Sequence, residues 1–229
     1  ARMMFALDVI ETDINGLLST AQQPSIPMVL SANQAPTFTT SATVVGGPTV
    51  SGNSAMLIAR AIDDDSDSLL RYTWRMTDGP ENATLRFSAN GSNAARTTTV
   101  TFNRAGQYTF EVTARDGGGL NATSTVDINV EQVHSGIRVI NSRGNNLVSN
   151  RAFTVGTTSD VFIAVGIDQF NQPMSQQSDV VWTNPIKPAG SAVDLETSGN
   201  QVAVTFDRAG IFGLRAVIEN RSFNVSLSV

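Results

Sequence analysis

A phrase that occurs twice limits what this chain can fold into more than any other feature. Val100-Thr-Phe-Asn-Arg-Ala-Gly-Gln-Tyr108 returns as Val204-Thr-Phe-Asp-Arg-Ala-Gly-Ile-Phe212. In each copy an alternating apolar run ends in Arg-Ala-Gly and a second alternating run follows. A tryptophan lies upstream of each, Trp74 and Trp182, inside a short run with strand character. A period of roughly a hundred residues is too long for a solenoid unit and argues for two related domains in tandem. Tandem β domains of this size serve as spacers, adhesive surfaces or binding modules, so the repeat speaks to architecture before activity.

The length fits: 229 residues supply two cores of about a hundred residues each and a connector. Hydrophobic residues make up 41% and charged residues 15%, which suits folded β structure better than a disordered chain. The net charge is −5, the single lysine is Lys187 and the arginines are scattered. No basic stripe can neutralise a phosphate backbone, so nucleic acid is excluded as a partner. There is no cysteine, so the domains rely on packing without the inter-sheet disulfide of many Ig-type domains. No apolar run approaches the roughly 18 residues of a membrane span. The chain opens at Ala1 with neither a charged n-region nor an apolar h-region, so an export signal is expected upstream or already removed.

Residues 1–35 differ from the rest. Met3, Met4, Leu7, Ile10, Ile14, Leu17 and Leu18 recur at helical spacing and predict an amphipathic helix over about residues 2–18. Pro24, Pro27 and Pro36 then impose an extended segment. A helix this short needs a surface to dock on. One reading packs it on its own chain or an upstream domain. The other makes Met4, Leu7, Ile10, Ile14, Leu17 and Leu18 an assembly face for a neighbouring subunit.

From Ala35 onward the pattern is β. In the first domain strands are expected at Ala55–Ala61 (B), Leu70–Met76 (C), Thr97–Phe102 (E), Gln107–Ala114 (F) and Ala122–Val130 (G). In strand F, Tyr108, Phe110 and Val112 share one face. In the second domain the corresponding runs are Val161–Ile167, Asp179–Thr183, Gln201–Phe206, Phe212–Ile218 and Ser222–Val229. The fold expected is all-β: two antiparallel Ig-like β-sandwiches, at 36–131 and 132–229, behind a short helix and Pro-rich linker at 1–35. A connector is expected around Glu131–Gly136, short enough to limit relative motion.

Ala61-Ile-Asp-Asp-Asp-Ser-Asp-Ser-Leu-Leu-Arg-Tyr-Thr-Trp74, followed by Ala105-Gly-Gln-Tyr-Thr-Phe-Glu-Val-Thr-Ala-Arg-Asp-Gly-Gly-Gly-Leu120, resembles the PKD family of Ig-like domains. That family pairs an acidic loop before a Tyr-x-Trp strand with a Gly-x-Tyr-x-Phe strand leading to an Asp-Gly turn. The resemblance covers about residues 36–131. It departs after the tryptophan, where Met76-Thr-Asp-Gly-Pro80 stands in place of Gly-Asp-Gly. Residues 133–229 are similar, more loosely, to bacterial Ig-like repeats, through Gly166-Ile-Asp-Gln-Phe-Asn-Gln-Pro173. Both resemblances imply non-catalytic modules of large extracellular bacterial or phage proteins, often appended to an enzyme or adhesin.

Chemistry has few places to sit. Asp63, Asp64, Asp65 and Asp67 form an acidic cluster between strands B and C, and in this topology the F–G loop brings Asp116 to the same end. Several carboxylates with backbone carbonyls are what Ca²⁺ takes as six to eight oxygen ligands. The alternative is a solvated acidic turn, because the fixed ligand spacing of an EF-hand is absent. His134 is the only histidine, which excludes a His-based zinc site or a Ser-His-Asp triad within one chain, and it is placed in the connector. Glu81, Glu111, Glu131, Glu196 and Glu219 fall on strand exteriors or turns, with nothing to pair two of them across a cleft. Trp74 and Trp182 are expected in the cores, leaving Tyr72 as the better exposed aromatic for stacking on carbohydrate. Arg104 and Arg208 are expected to brace the E–F corners. The sequence thus reads as a structural, spacer or adhesion module without catalysis, secreted, on a cell surface or on a virion. Its expected partners are its own parent chain or neighbouring subunits. Self-assembly through the N-terminal segment and carbohydrate binding are the alternatives.

Overall fold

In the computed structural model the described residues are 32–149 and 151–229. The expected N-terminal helix and the assembly face of Met4, Leu7, Ile10, Ile14, Leu17 and Leu18 lie outside them.

Alternation of apolar and polar residues produces the strands. In the first half these are β1 (Thr37–Val44), β2 (Thr49–Val50), β3 (Ser54–Ile62), β4 (Arg71–Asp78), β5 (Arg86–Phe87), β6 (Thr97–Thr101), β7 (Gly106–Arg115) and β8 (Asn121–Val130). The second half adds β9 (His134–Asn141), β10 (Arg151–Ala152), β11 (Phe162–Asp168), β12 (Val180–Ile186), β13 (Val193–Ser198), β14 (Gln201–Phe206), β15 (Ile211–Ile218) and β16 (Arg221–Ser228). They form four four-stranded sheets, ordered β1-β3-β6-β5 and β2-β8-β7-β4, then β9-β11-β14-β13 and β10-β16-β15-β12. Strand for strand the second pair of sheets repeats the first. The repeat extends to the two-residue strands β2 and β10, each running parallel to the last strand of its half. The expected strands B, C, E, F and G all appear in both halves.

Each half buries one apolar cluster between its sheets. The first is dominated by Tyr72, Trp74, Tyr108, Phe110 and Leu57, the second by Phe162, Trp182, Phe206, Phe212 and Leu214. Burying each such side chain contributes about 1.5–3 kcal/mol before entropy is counted. Tyr108, Phe110, Val112 and Ala114 are all buried, as the alternation in β7 requires.

The repeated phrase marks one joint in the architecture made twice. Phe102 and Tyr108 meet with ring centroids 4.9 Å apart, and Phe206 and Phe212 with centroids 4.8 Å apart. The polar residue after each phenylalanine ties down the loop that follows the C strand. Asn103 Oδ1 accepts from Thr84 N at 2.8 Å, and Asp207 Oδ2 accepts from Ala192 N at 2.8 Å. The glycines need their missing Cβ. Gly106 (φ 138°) and Gly210 (φ 147°) would place that atom 2.6 and 2.5 Å from Cγ of Pro80 and Pro188. Arg208 braces its corner through Nη1, which donates to Ala189 O at 3.0 Å. At the first corner it is the Arg104 carbonyl that acts, accepting from the Tyr108 hydroxyl at 2.8 Å.

Two expectations are corrected. Tyr72 is buried at 2% exposure, because it shares a strand face with Trp74, and its hydroxyl receives Ala61 N at 2.9 Å. His134 opens β9 opposite Asp168 and does not lie in a connector. Only residues 131–133 separate β8 from β9.

Candidate functional site

Two places collect polar groups: the acidic end of the first pair of sheets, and the junction between the halves. At the acidic end β3 delivers Asp63 and β7 delivers Asp116. Asp116 Oδ1 accepts from Gly119 N and Leu120 N, and Oδ2 accepts from Asn33 Nδ2 at 2.9 Å. Burial opposes its charge, but the hydrogen bonds from Asn33, Leu120, Gly119 and Gly118 outweigh that and hold its carboxyl below the ordinary range. Asp63 shifts the other way: burial first, then the charges of Asp64 and Asp116, push its carboxyl up. Its Oδ1 is buried with no hydrogen-bond partner among the described residues.

The remaining acids are turned to local structure. Asp64 Oδ1 accepts from Gln34 N at 3.1 Å and Asp67 Oδ1 accepts from Asp63 N at 3.0 Å. Asp65 is exposed. Asp63 and Asp116 therefore share the expected rim, yet among the described residues no three His, Cys, Asp or Glu side chains gather around a point where a metal could sit. The arrangement closes two loops and anchors the entering chain at Asn33 and Gln34.

The carbohydrate reading loses its platform. Trp74, Trp182 and Tyr72 are all buried, and no Phe, Trp or Tyr among the described residues is exposed. Among the described residues the glutamates do not pair with one another. Glu111 holds Arg75 across β4 and β7 at 2.8 Å, and Glu219 accepts from Ser178 Oγ at 2.8 Å and contacts His134 Nδ1 at 3.1 Å.

The junction is more elaborate, and the sequence alone did not mark its residues. β11 ends in Asp168, which is 1% exposed. Its Oδ1 accepts from Phe170 N and Gln172 N, both at 2.9 Å, shaping the loop 168–173. Its Oδ2 accepts from Gln132 Nε2 at 3.0 Å. Gln132 then receives Ser175 N on Oε1 at 2.7 Å and donates to Pro173 O at 3.0 Å. Gln169 closes the other side, accepting from Val133 N and donating to Glu131 O, each at 2.8 Å. Ser135 Oγ donates to Asp168 O at 2.6 Å. Phe170, carried on this loop, packs against the apolar cluster of the first half. The one available signal was Gly166-Ile-Asp-Gln-Phe-Asn-Gln-Pro173, which carried the similarity to bacterial Ig-like repeats but did not mark a grip on residues 131–135.

Residues 48–130 match the family model described as K319L-like, PKD domain. Over these residues the first sandwich is similar to a PKD domain. The match starts beyond β1 and stops at the last residue of β8, so the gripping loop 168–173 lies outside the matched residues. No curated protein sequence matches the chain. Among solved structures, the chain is similar to the protocadherin gamma B4 extracellular domain at 16% identity and TM-score 0.43, over 87% of this chain and 33% of that one. It is also similar to the D00-D0 domain of intimin at 12% identity and TM-score 0.42, over 79% of this chain and 94% of that one. A third is the Escherichia coli adhesin FdeC, at 16% identity and TM-score 0.33, over 94% of this chain and 71% of that one. The chain thus spans about a third of the protocadherin it resembles. No helix among the described residues is long and apolar enough to cross a membrane.

Proposed function

We propose that this chain is a non-catalytic structural or adhesion-type module of a larger extracellular or cell-surface protein. Its work is to hold two sandwiches at a fixed relation and to present what lies on either side of them. The carrying observation is the grip of Asp168 and Gln169 on residues 131–135 together with the packing of Phe170 on the first core, because a passive tether needs no buried carboxylate and no aromatic plug. The PKD match supports the same reading. Small-angle X-ray scattering on wild type and on Asp168→Ala tests it. A single fixed maximum dimension for wild type, broadened in the variant, supports a rigid module. A wild-type distribution already as broad as the variant's would sink it.

Calcium at the acidic rim is a second reading, favoured by the unpartnered Asp63 Oδ1 and the crowding of Asp63 by Asp64 and Asp116. A cation there would relieve both, and it would have to draw Asp64, Asp65 or Asp67 inward to complete its oxygen shell. The expected result is a rise in Tm with calcium over EDTA that disappears in Asp63→Asn. Identical melting in calcium and EDTA rejects it.

A further inference from the structure

The two halves share a topology but not the treatment of one sheet edge. In the first half β4 is an edge strand whose outer side is covered. Tyr72 N donates to Ser92 O at 3.1 Å, and Gly91 N donates to Tyr72 O at 2.8 Å. The Asn90 side chain then pairs with both backbone groups of Trp74, at 2.8 and 2.9 Å. The same segment ends in the turn that supplies Ala95 O to Trp74 Nε1 at 2.8 Å.

In the second half β12 is the equivalent edge, with Trp182 opposite Ala216 as Trp74 is opposite Val112. The covering segment is missing because β13 runs its full length along β14 and turns back at once. Among the described residues nothing pairs with the outer backbone groups of Val180 and Trp182. The indole Nε1 of Trp182, a residue only 7% exposed, is buried without a partner among the described residues. Loss of one segment leaves both the edge and the indole unsatisfied.

We propose that β12 is an interface for a second copy of this chain, the two β12 strands adding antiparallel to join their sheets edge to edge. Of the other edges, β2, β5 and β10 are only two residues long, and the longer ones are protected. β13 carries Asp194 and Glu196, which would face their own copies. β9 is overlaid by the return of Asn145–Leu147 onto Asn141 and Val139. The ladder of β1 is broken by two register shifts. β12 carries no charged residue, and it is regular from Val180 to Thr183 before the irregularity ahead of Ile186. Natural sheets block such an edge with charge, proline, bulges or a cover; in β12 Pro185 and the register shift both come after Thr183, so Val180–Thr183 has none of them. A two-fold axis at Val181 lets Val180 and Trp182 of each copy exchange backbone hydrogen bonds. It also buries Val181, 59% exposed, against its counterpart. This contact goes beyond the module reading and does not depend on the rigidity of the junction.

The test is the solution mass of the full chain against concentration, for wild type, Val181→Lys, Val181→Glu and an equimolar mixture of the two variants, with circular dichroism confirming that each is folded. Wild type should reach twice the chain mass, each variant alone should stay at the single mass at the same concentration, and the mixture should recover the double mass. A wild type that remains single up to about millimolar concentration overturns the proposal, since millimolar affinity is the weakest association of interest. So does a double mass that survives Val181→Lys, or one lost on deleting residues 1–31 while Val181→Lys leaves it intact.

Discussion

Built on one topology, the two sandwiches solve the same packing problems with different completeness. In the first, Trp74 finds Ala95 O and Tyr108 finds Arg104 O. In the second, Trp182 Nε1 finds nothing among the described residues and Phe212 has no hydroxyl to place. What both keep is the ring pair across the Arg-Ala-Gly corner, the proline against the glycine, and the polar residue that ties the loop. The comparison separates what the architecture requires from what one sandwich adds. Corner geometry belongs to the first class, and hydrogen bonding of the buried aromatic tips to the second.

The shared features should be equally costly to break. Gly106→Ala and Gly210→Ala force a methyl into Pro80 and Pro188 at a backbone conformation that L residues avoid, and each should cost about 3 kcal/mol in denaturant unfolding. Adding Pro80→Ala to Gly106→Ala should recover part of that. Unequal losses at the two glycines would mean the corners are not equivalent. The unshared features should differ. Trp74→Phe and Trp182→Phe open similar cavities, but only the first strands a buried carbonyl, so it should cost about 2 kcal/mol more. Equal costs would show that Trp182 has a partner after all. Tyr108→Phe makes the first corner resemble the second and should cost about 1 kcal/mol, read from the denaturation midpoint.

The smallest effect is in pH. Asp116, Asp207 and Glu219 have carboxyls held below their ordinary values, Asp207 by the hydrogen bonds of Ser191 and Ala192 and Glu219 by those of Ser178 and His134. A depressed folded value means their contribution is present above the ordinary carboxylate range and is lost as pH falls through the folded values. Asp63, pushed up, has the opposite sign: its contribution is complete below its ordinary value and disappears as pH rises through the raised one. Acid should therefore weaken the second sandwich, where both shifted groups are depressed, more than the first, where Asp63 offsets Asp116. Asp63→Asn should raise Tm at neutral pH and remove that offset. A Tm that falls in Asp63→Asn at pH 7 would contradict this.

Strands β3, β4, β6, β7 and β8 and their counterparts in the second half were legible in the sequence, and the opening strands β1 and β9 were not. β2, β5 and β10 were not, because two residues carry no period. β13 alternates Val193 and Leu195 with Asp194 and Glu196, but it was not among the expected strands. Tyr72 was readable and misplaced: two residues before Trp74 on one strand, it had to share the core. His134 was drawn into the connector by Ser135 and Gly136, although β9 begins with it. The acidic rim was legible as a cluster, but which acid binds which backbone N–H depends on loop conformation. The junction was beyond reach, because Gln132 and Gln169 are ordinary surface residues until two distant loops meet.

The claim that matters most is that the two sandwiches are one body at that junction. Nitrogen-15 relaxation on the wild-type chain tests it directly, because strands β3–β8 and β11–β16 report the tumbling of each half. One rotational diffusion tensor fitting both halves, splitting into two in Asp168→Ala, is the result expected. Two independent correlation times in wild type would mean that the grip of Asp168, Gln169 and Phe170 does not hold.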